Sequence, residues 1–526
     1  MTSPARAALT ALLLFSAALL PGCLSSSELQ CASGTIRCGD TCVQTATDSN
    51  NCGACGSACS GGNVCVSGAC VCPVGQGTCN GQCTAVASDP KNCGACGVLC
   101  GQNQACNQGV CQDCPGGSGQ IGSCQTALLA ACIAAPGGYL QPIQDTPGGL
   151  LLSAPANPSG ASFPDALGVL GTALLYADHD SSTLFEVPIG NLGTSSAERP
   201  SLVGPTTGSK AGTTQVFVES FDGGTGARIY AMASSVNAMR IFDGPPPGDA
   251  GQLLNGGAGA LGLVVQGGAA FDPGSFPEPF AKLGNFVFVP LNGTGKVLKV
   301  DVSNPASAVV ADTYDLQPLV AALPGGGLGP DGGPFLPSPT QAISRNGTVY
   351  VAANVLRYYE DFSGADYGPP LVAKIDPTKS GQAALSAVQG FAGDAGACQN
   401  VEWLASLPLG TAATPMLVSC AGARTYDPVT YEVKTVANTE LVLMSASDQQ
   451  ITAWIPSNGN GDLPPSVGRA VSQNTTVYVV DETSSRLYVL DYANNALVER
   501  VGYVDGGTPP VACPTYMTDL KVVPAP

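Results

Sequence analysis

The hexapeptide NCGACG occurs at Asn51–Gly56 and again at Asn92–Gly97, 41 residues later. A CxxC spacing serves three chemistries: zinc ligation by thiolates, thiol–disulfide exchange, or a covalent staple. The surroundings discriminate between them. Cys31, Cys38, Cys42, Cys52, Cys55, Cys59, Cys65 and Cys70 recur in unbroken register as Cys72, Cys79, Cys83, Cys93, Cys96, Cys100, Cys106 and Cys111. A zinc site would use four thiolates per copy and strand the other four, and the region holds no His. A redox motif needs a βαβ setting that the flanks do not provide. Residues 31–113 contain no Phe, Tyr, Trp or Met and a single Leu, too little to build an apolar core. Disulfides use every cysteine of a copy, at about 2–4 kcal/mol per bridge. These cysteines therefore read as structural, and each NCGACG as a tight turn that glycine permits. Spacing alone leaves their connectivity open.

The single histidine of the chain, His179, lies in Asp178-His179-Asp180. His between two carboxylates suits acid–base work or metal ligation. The same position also suits a solvated turn, since Asp and His favour turns, and the matching stretch Asp481-Glu482-Thr483 has no His. The turn is the preferred reading. Gly204–Lys210 only mimics a phosphate loop, with Ser and Lys in reversed order, and no HExxH, GxSxG or EF-hand loop is present. No cofactor or catalytic residue is assigned.

The aromatic residues point to recognition. Two segments interrupt otherwise regular hairpins, Asn354–Pro370 (NVLRYYEDFSGADYGPP) and Gly422–Asn438 (GARTYDPVTYEVKTVAN). They supply Tyr358, Tyr359, Phe362, Tyr367, Arg424, Tyr426 and Tyr431 as candidate ligand-binding residues. Exposed rings mixed with charge are what protein and glycan recognition uses.

The elements that carry these residues are short strands and turns. Charged residues make up 11% of the chain, and there are 68 Gly and 42 Pro; such a composition favours strands over helices. Leu174–Val187 (LLYADHDSSTLFEV) and Val477–Leu490 (VYVVDETSSRLYVL) share D-x-x-S-S-x-L-aromatic at identical spacing. Further hairpins are Ile229–Asp243 and Phe286–Asp301. Val349–Ala352 pairs with Leu371–Asp376, and Met416–Ser419 with Glu440–Met444, around the inserts. Their strands are apolar on both faces, so each small sheet needs a neighbour on either side. Blades around an axis provide that. The expectation is an all-β fold, a β-propeller of six or seven blades over residues 140–526, closed by a strand at Pro514–Val523, with an array of β-sandwiches as the alternative. The repeats resemble, in loose form, bacterial YVTN-type propeller repeats.

The N-terminus supplies an address. Ala7–Leu20 is a mostly apolar run after Arg6, too short to span a bilayer, and reads as a signal-peptide core. Leu20-Pro21-Gly22-Cys23 resembles a bacterial lipobox, which implies lipid attachment at Cys23 and a membrane anchor; Leu24 rather than Asp follows, implying the outer membrane. Of 23 cysteines, 20 fall in the first 132 residues, which fits an oxidising compartment. The pieces GDTCVQTATDSNNCGACGSACSGGNVCVSGAC and NGQCTAVASDPKNCGACGVLCGQNQACNQGVC are similar to the Stig1 (stigma-specific protein) repeat. Behind a lipobox, the pair resembles lipoproteins of the myxobacterial type, implying an extracellular contact module without catalytic residues.

The expected layout is a signal peptide (1–22), a tether (23–30), two repeats (31–71 and 72–113), a linker (114–139) with a short helix at Cys124–Ala135, and the propeller. Cys114, Cys124, Cys132, Cys398, Cys420 and Cys513 lie outside the repeats and allow three more bridges, with Cys398–Cys420 a local pair and Cys513 reaching back toward the helix region. A net charge of −18 repels phosphate backbones and excludes nucleic acid as a partner. The functional expectation is a non-enzymatic envelope lipoprotein that binds an extracellular protein or glycan. The alternatives are a metal-assisted propeller hydrolase, lactonase or lyase using carboxylates and His179, and a purely structural envelope protein.

Overall fold

A computed structural model describes residues 31–113 and 126–523, apart from short interruptions, the longest at 202–211, 245–263, 389–397 and 501–510. The signal segment and Cys23 lie outside the described residues, as do Cys100, Cys114 and Cys124. The chain divides into two compact units, Met1–Cys124 and Gln125–Pro526.

The first unit is made of two-stranded hairpins, Ile36–Cys38 with Thr41–Val43 and Val64–Val66 with Ala69–Val71. Their counterparts in the second copy are Gly77–Cys79 with Gln82–Thr84 and Gln104–Asn107 with Val110–Asp113. Disulfides join Cys31–Cys42, Cys38–Cys55, Cys52–Cys65 and Cys59–Cys70, and the second copy repeats the first two as Cys72–Cys83 and Cys79–Cys96. Cys93 and Cys111 are also disulfide-bonded. The buried apolar residues described in this unit are Cys52, Cys65, Cys79 and Cys93, so the sulfur bridges are its core. Within NCGACG, Asn51 Oδ1 accepts from the Gly56 amide at 2.8 Å, and Asn92 Oδ1 from that of Gly97 at 2.9 Å. Gly53 has φ +76°, and a Cβ there would meet the Gly68 carbonyl oxygen at 2.6 Å. Only glycine fits such an approach.

The second unit is a seven-bladed β-propeller. Among the described residues, seven antiparallel sheets carry four strands each, one of them with an added fifth. Blade 1 joins the two ends of the unit: Thr126–Ala134, Gly137–Thr146 and Gly149–Leu152 form its outer strands, and Tyr516–Val523 its innermost. The other blades run from the axis outward in chain order, starting at Pro164–Leu170, Thr213–Ser220, Ala281–Leu283, Leu336–Arg345, Val401–Ser406 and Val467–Gln473 for blades 2 to 7. The hairpins evident in the sequence are the second and third strands of blades 2 to 7, with Val349 opposite Ile375 and Met416 opposite Met444.

Burial on both faces explains the ring. Ala173–Asp178, Met416–Cys420 and Glu440–Met444 are buried at every residue. Their side chains alternate between neighbours: Leu175 and Ala177 pack toward blade 3, and Leu174 and Tyr176 toward blade 1. Seven apolar clusters result, one at each blade interface. Polar side chains add cross-blade bonds near the axis. Asp519 Oδ2 accepts from the Leu167 amide at 2.8 Å, Gln215 Oε1 from Phe280 at 2.9 Å, and Gln341 Oε1 from Leu404 at 2.5 Å.

The stretch expected to be a helix, Cys124–Ala135, is a strand over Thr126–Ala134, and that strand already belongs to the propeller, ahead of the expected start at 140. Its Ala- and Leu-rich composition favours a helix locally. Pairing on both edges overrides that preference, with Gly137–Thr146 on one side and Tyr516–Val523 on the other, and Ala127–Cys132 are all buried.

Cys132 and Cys513 form a disulfide across 381 residues, and Cys398 bonds Cys420. Both are buried. The first bridge closes nearly the whole propeller into one covalent loop. Replacing Cys132 and Cys513 by Ser should cost about 2–5 kcal/mol. Thermal unfolding without reductant should show a Tm lower by several degrees; an unchanged Tm would show that strand pairing alone holds the ring.

Candidate functional site

One mouth of the central channel is a cavity of about 600 Å³ to which all seven blades contribute. The innermost strands, or the residues just before them, supply Tyr516 and Thr518, Asp165, Thr213, Glu278, Thr340, Glu402 and Trp403, and Arg469, in blade order. Turns between second and third strands add His179, Ser234, Ser235, Asn292 and Glu482.

The shared D-x-x-S-S-x-L-aromatic motif is what aims two of these side chains. Asp178 Oδ1 accepts from the Phe163 amide at 2.7 Å and Oδ2 from Ser181 at 2.8 Å. Asp481 Oδ1 does the same for Ser466 at 2.8 Å and Thr483 at 3.0 Å. Both aspartates are buried, and the second serine of each motif, Ser182 or Ser485, has φ near +50°. The motif thus ties the turn to the chain entering the innermost strand. The residue after each aspartate, His179 in blade 2 and Glu482 in blade 7, is left facing the mouth. The sequence places His179 in a solvated turn. It is in a turn, and its Nδ1 lies 2.9 Å from Asp165 Oδ2, which also accepts from the Thr213 amide at 3.1 Å. Burial raises the Asp165 pKa against the opposing pull of His179.

The two inserts emerge at this mouth and pack together. Gly364 bridges Thr425, the Arg424 amide donates to Tyr367 Oη at 3.1 Å, and Tyr367 Oη lies 3.4 Å from the Arg424 carbonyl. Tyr367 and Arg424 therefore order the loops instead of facing a ligand. The Arg424 guanidinium is clamped by Glu402 at 3.0 Å and Glu482 at 2.5 Å, and donates to Ser466 Oγ. Burial raises the Glu402 pKa, Arg424 opposes the rise and the nearby Glu482 adds to it. Removing Arg424 would leave two adjacent carboxylates facing each other. Tyr358 and Tyr359 remain exposed, at 59% and 43%, and Tyr358 lines the mouth. Tyr426 is half-buried, and Phe362 and Tyr431 lie outside the described residues.

Asp165, Glu278, Glu402, Trp403, Arg469 and Tyr516 were not singled out from the sequence. Their signal is positional: each is a polar or aromatic residue near the start of an innermost strand, upstream of a hairpin in every case but Tyr516, which begins the closing strand. Arg469 is engaged by Asp519 and lies 4.2 Å from the centre of the Trp403 ring. Glu278 makes no side-chain hydrogen bond among the described residues, and burial pushes its pKa up to about 8, opposed by Arg469.

No protein-family model and no curated sequence matches the chain. Solved structures match the propeller. They include a putative 6-phosphogluconolactonase from Bacteroides fragilis NCTC 9343 (11% identity, 76% of this chain and 98% of that one, TM-score 0.45). AztD from Citrobacter koseri is 14% identical over 75% of this chain and 97% of its own, with a TM-score of 0.39. Virginiamycin B lyase from Staphylococcus aureus is 9% identical over 65% and 85%, with a TM-score of 0.36. These likenesses concern the propeller architecture alone.

Glu278 supplies a test of the mouth's electrostatics. A carboxyl whose pKa is raised on folding stabilises the fold relatively below its unfolded value near 4.5, and that contribution is lost as pH rises through about 8. Glu278→Gln should therefore raise Tm by a few degrees at pH 9 and leave it unchanged at pH 4. A pH-independent difference would mean that Glu278 is solvated.

Proposed function

We propose that this chain is an exported, envelope-anchored binding protein. Cys23 carries the lipid anchor, the stapled Stig1-like repeats serve extracellular contact, and the propeller mouth takes an extracellular protein or glycan. The observation that carries the reading is the cavity itself: a concave site built by every blade, with Tyr358 on its wall and Tyr359, the next residue of the same insert, exposed. Rings held on ordered loops recognise a ligand with little entropy loss. The double variant Tyr358→Ala, Tyr359→Ala should lose retention on a column of native envelope material at least tenfold while keeping the wild-type Tm. Full retention by the folded variant would overturn the assignment of the mouth.

One observation favours a second reading. His179, held by Asp165 on the cavity wall, suits an acid–base or ligating role in a metal-assisted hydrolase, lactonase or lyase. That reading requires the purified protein to hold a stoichiometric divalent ion that His179→Ala loses. Elemental analysis that finds no such ion in wild type would exclude it.

A further inference from the structure

The mouth holds two unmet hydrogen-bonding groups, an amide oxygen that accepts and a hydroxyl that can accept or donate. Asn354 and Thr213 line the cavity and are 8% and 3% exposed, yet among the described residues Asn354 Oδ1 and Thr213 Oγ1 have no partner. Buried polar atoms are almost always paired, and an orphan beside a cavity marks where a ligand or water bonds. An amide oxygen only accepts, so its complement is a donor.

Charge narrows the donor. Asp165, Glu278, Glu402 and Glu482 line the cavity, with Asp519 bonded just beyond its wall; against these five carboxyls stand Arg424, Arg469 and Lys521, and His179 when it is protonated. Both guanidiniums are committed, Arg424 to Glu402 and Glu482 and Arg469 to Asp519. Among the described residues Glu278 forms no ion pair, although the charge of Arg469 is near enough to act on it. The aromatic wall agrees with a positive guest, because ring faces attract cations: Trp403 already carries Arg469 in this way, and Tyr358 and Tyr516 also line the cavity. A compact metal ion is poorly served. Among the described residues, the carboxylates and His179 of the mouth do not bring three ligand atoms within 4.8 Å of one another. The acceptors are spread around the cavity, as an N–H-bearing cation on an extended chain requires.

We propose that the mouth is a receptor site for an organic cation, an ammonium or guanidinium group on an extended chain, with Glu278 as its counter-ion and Asn354 and Thr213 as acceptors. The proposal rests on the mouth being the binding site and adds the chemistry of the guest. A free amine and a basic side chain of a polypeptide share that chemistry.

Calorimetric titration of the full chain at pH 8.5 and low salt tests it. The probes are 1,5-diaminopentane, its neutral analogue 1,5-pentanediol, and the end-blocked peptides Gly-Gly-Lys-Gly-Gly and Gly-Gly-Arg-Gly-Gly. Saturable binding is expected for the diamine or a basic peptide and not for the diol. Tighter binding of the diamine would identify a free amine as the source, and tighter binding of a peptide a polypeptide side chain. Glu278→Gln should weaken the cation at least tenfold, and Asn354→Ala severalfold. Equal heats from diamine and diol, or undiminished affinity in folded Glu278→Gln, would overturn the proposal. The wild-type comparison of diamine with diol decides even if a variant fails to fold. A mouth that binds no cation but still retains the protein on the envelope column, in a Tyr358-dependent way, refutes this guest and leaves the binding reading intact.

Discussion

Closure of the ring is the constraint on which the propeller depends. Each blade is apolar on both faces, and no blade can bury itself without two neighbours. Six blades are continuous stretches of chain, whereas blade 1 is assembled from the first three strands and the last one. If Tyr516–Val523 failed to pair with Thr126–Ala134, the inner edge of blade 1 would be bare and the apolar faces of blades 7 and 2 would lose part of their cover. Cys132–Cys513 fixes that seam covalently, and both sulfurs lie in the cluster between blades 7 and 1. The two units thus solve the burial problem differently. The propeller excludes water with aliphatic strands, while the repeats substitute sulfur bridges for a core they cannot build.

The mouth is a by-product of the same closure, shaped by polar residues the ring can tolerate. Innermost strands converge on the axis, and the residues lining the opening between them are largely polar. Carboxyls, amides and two guanidiniums occupy it. Some knit blades together, as Asp519 does with Leu167 and Arg469. Others, such as Glu278, do not, and those residues give the cavity its chemical character. The inserts of blades 5 and 6 extend the site outward, and Arg424 pins one of them to Glu402 beneath it and to Glu482 of blade 7. A residue that looked like a ligand contact is thus a positioning residue for the rings around it.

Much of this was legible in the chain. The repeat of eight cysteines at a fixed offset announced a stapled unit, because no other use accounts for all of them. Hairpins apolar on both faces announced blades, because only stacking on two sides buries such sheets. The shared D-x-x-S-S-x-L-aromatic motif announced equivalent turns, and the structure shows its aspartates tying those turns to the strand entering the axis. Equivalent loops in adjacent blades had to emerge on one face, which is where the inserts are found.

Other features required the tertiary structure. The segment from Thr126 to Ala134 carries local helix preference, and only its partners on both edges make it a strand. The count of seven could not come from hairpins alone, since the seventh blade exists only when the chain ends meet. The mouth residues are scattered polar and aromatic positions in seven different strands and the loops beside them, hundreds of residues apart, with no spacing between them for a sequence to display. Local pattern fixes what each strand must bury; the axis, and therefore which carboxylates and rings share a cavity, is defined only once all the strands are in place.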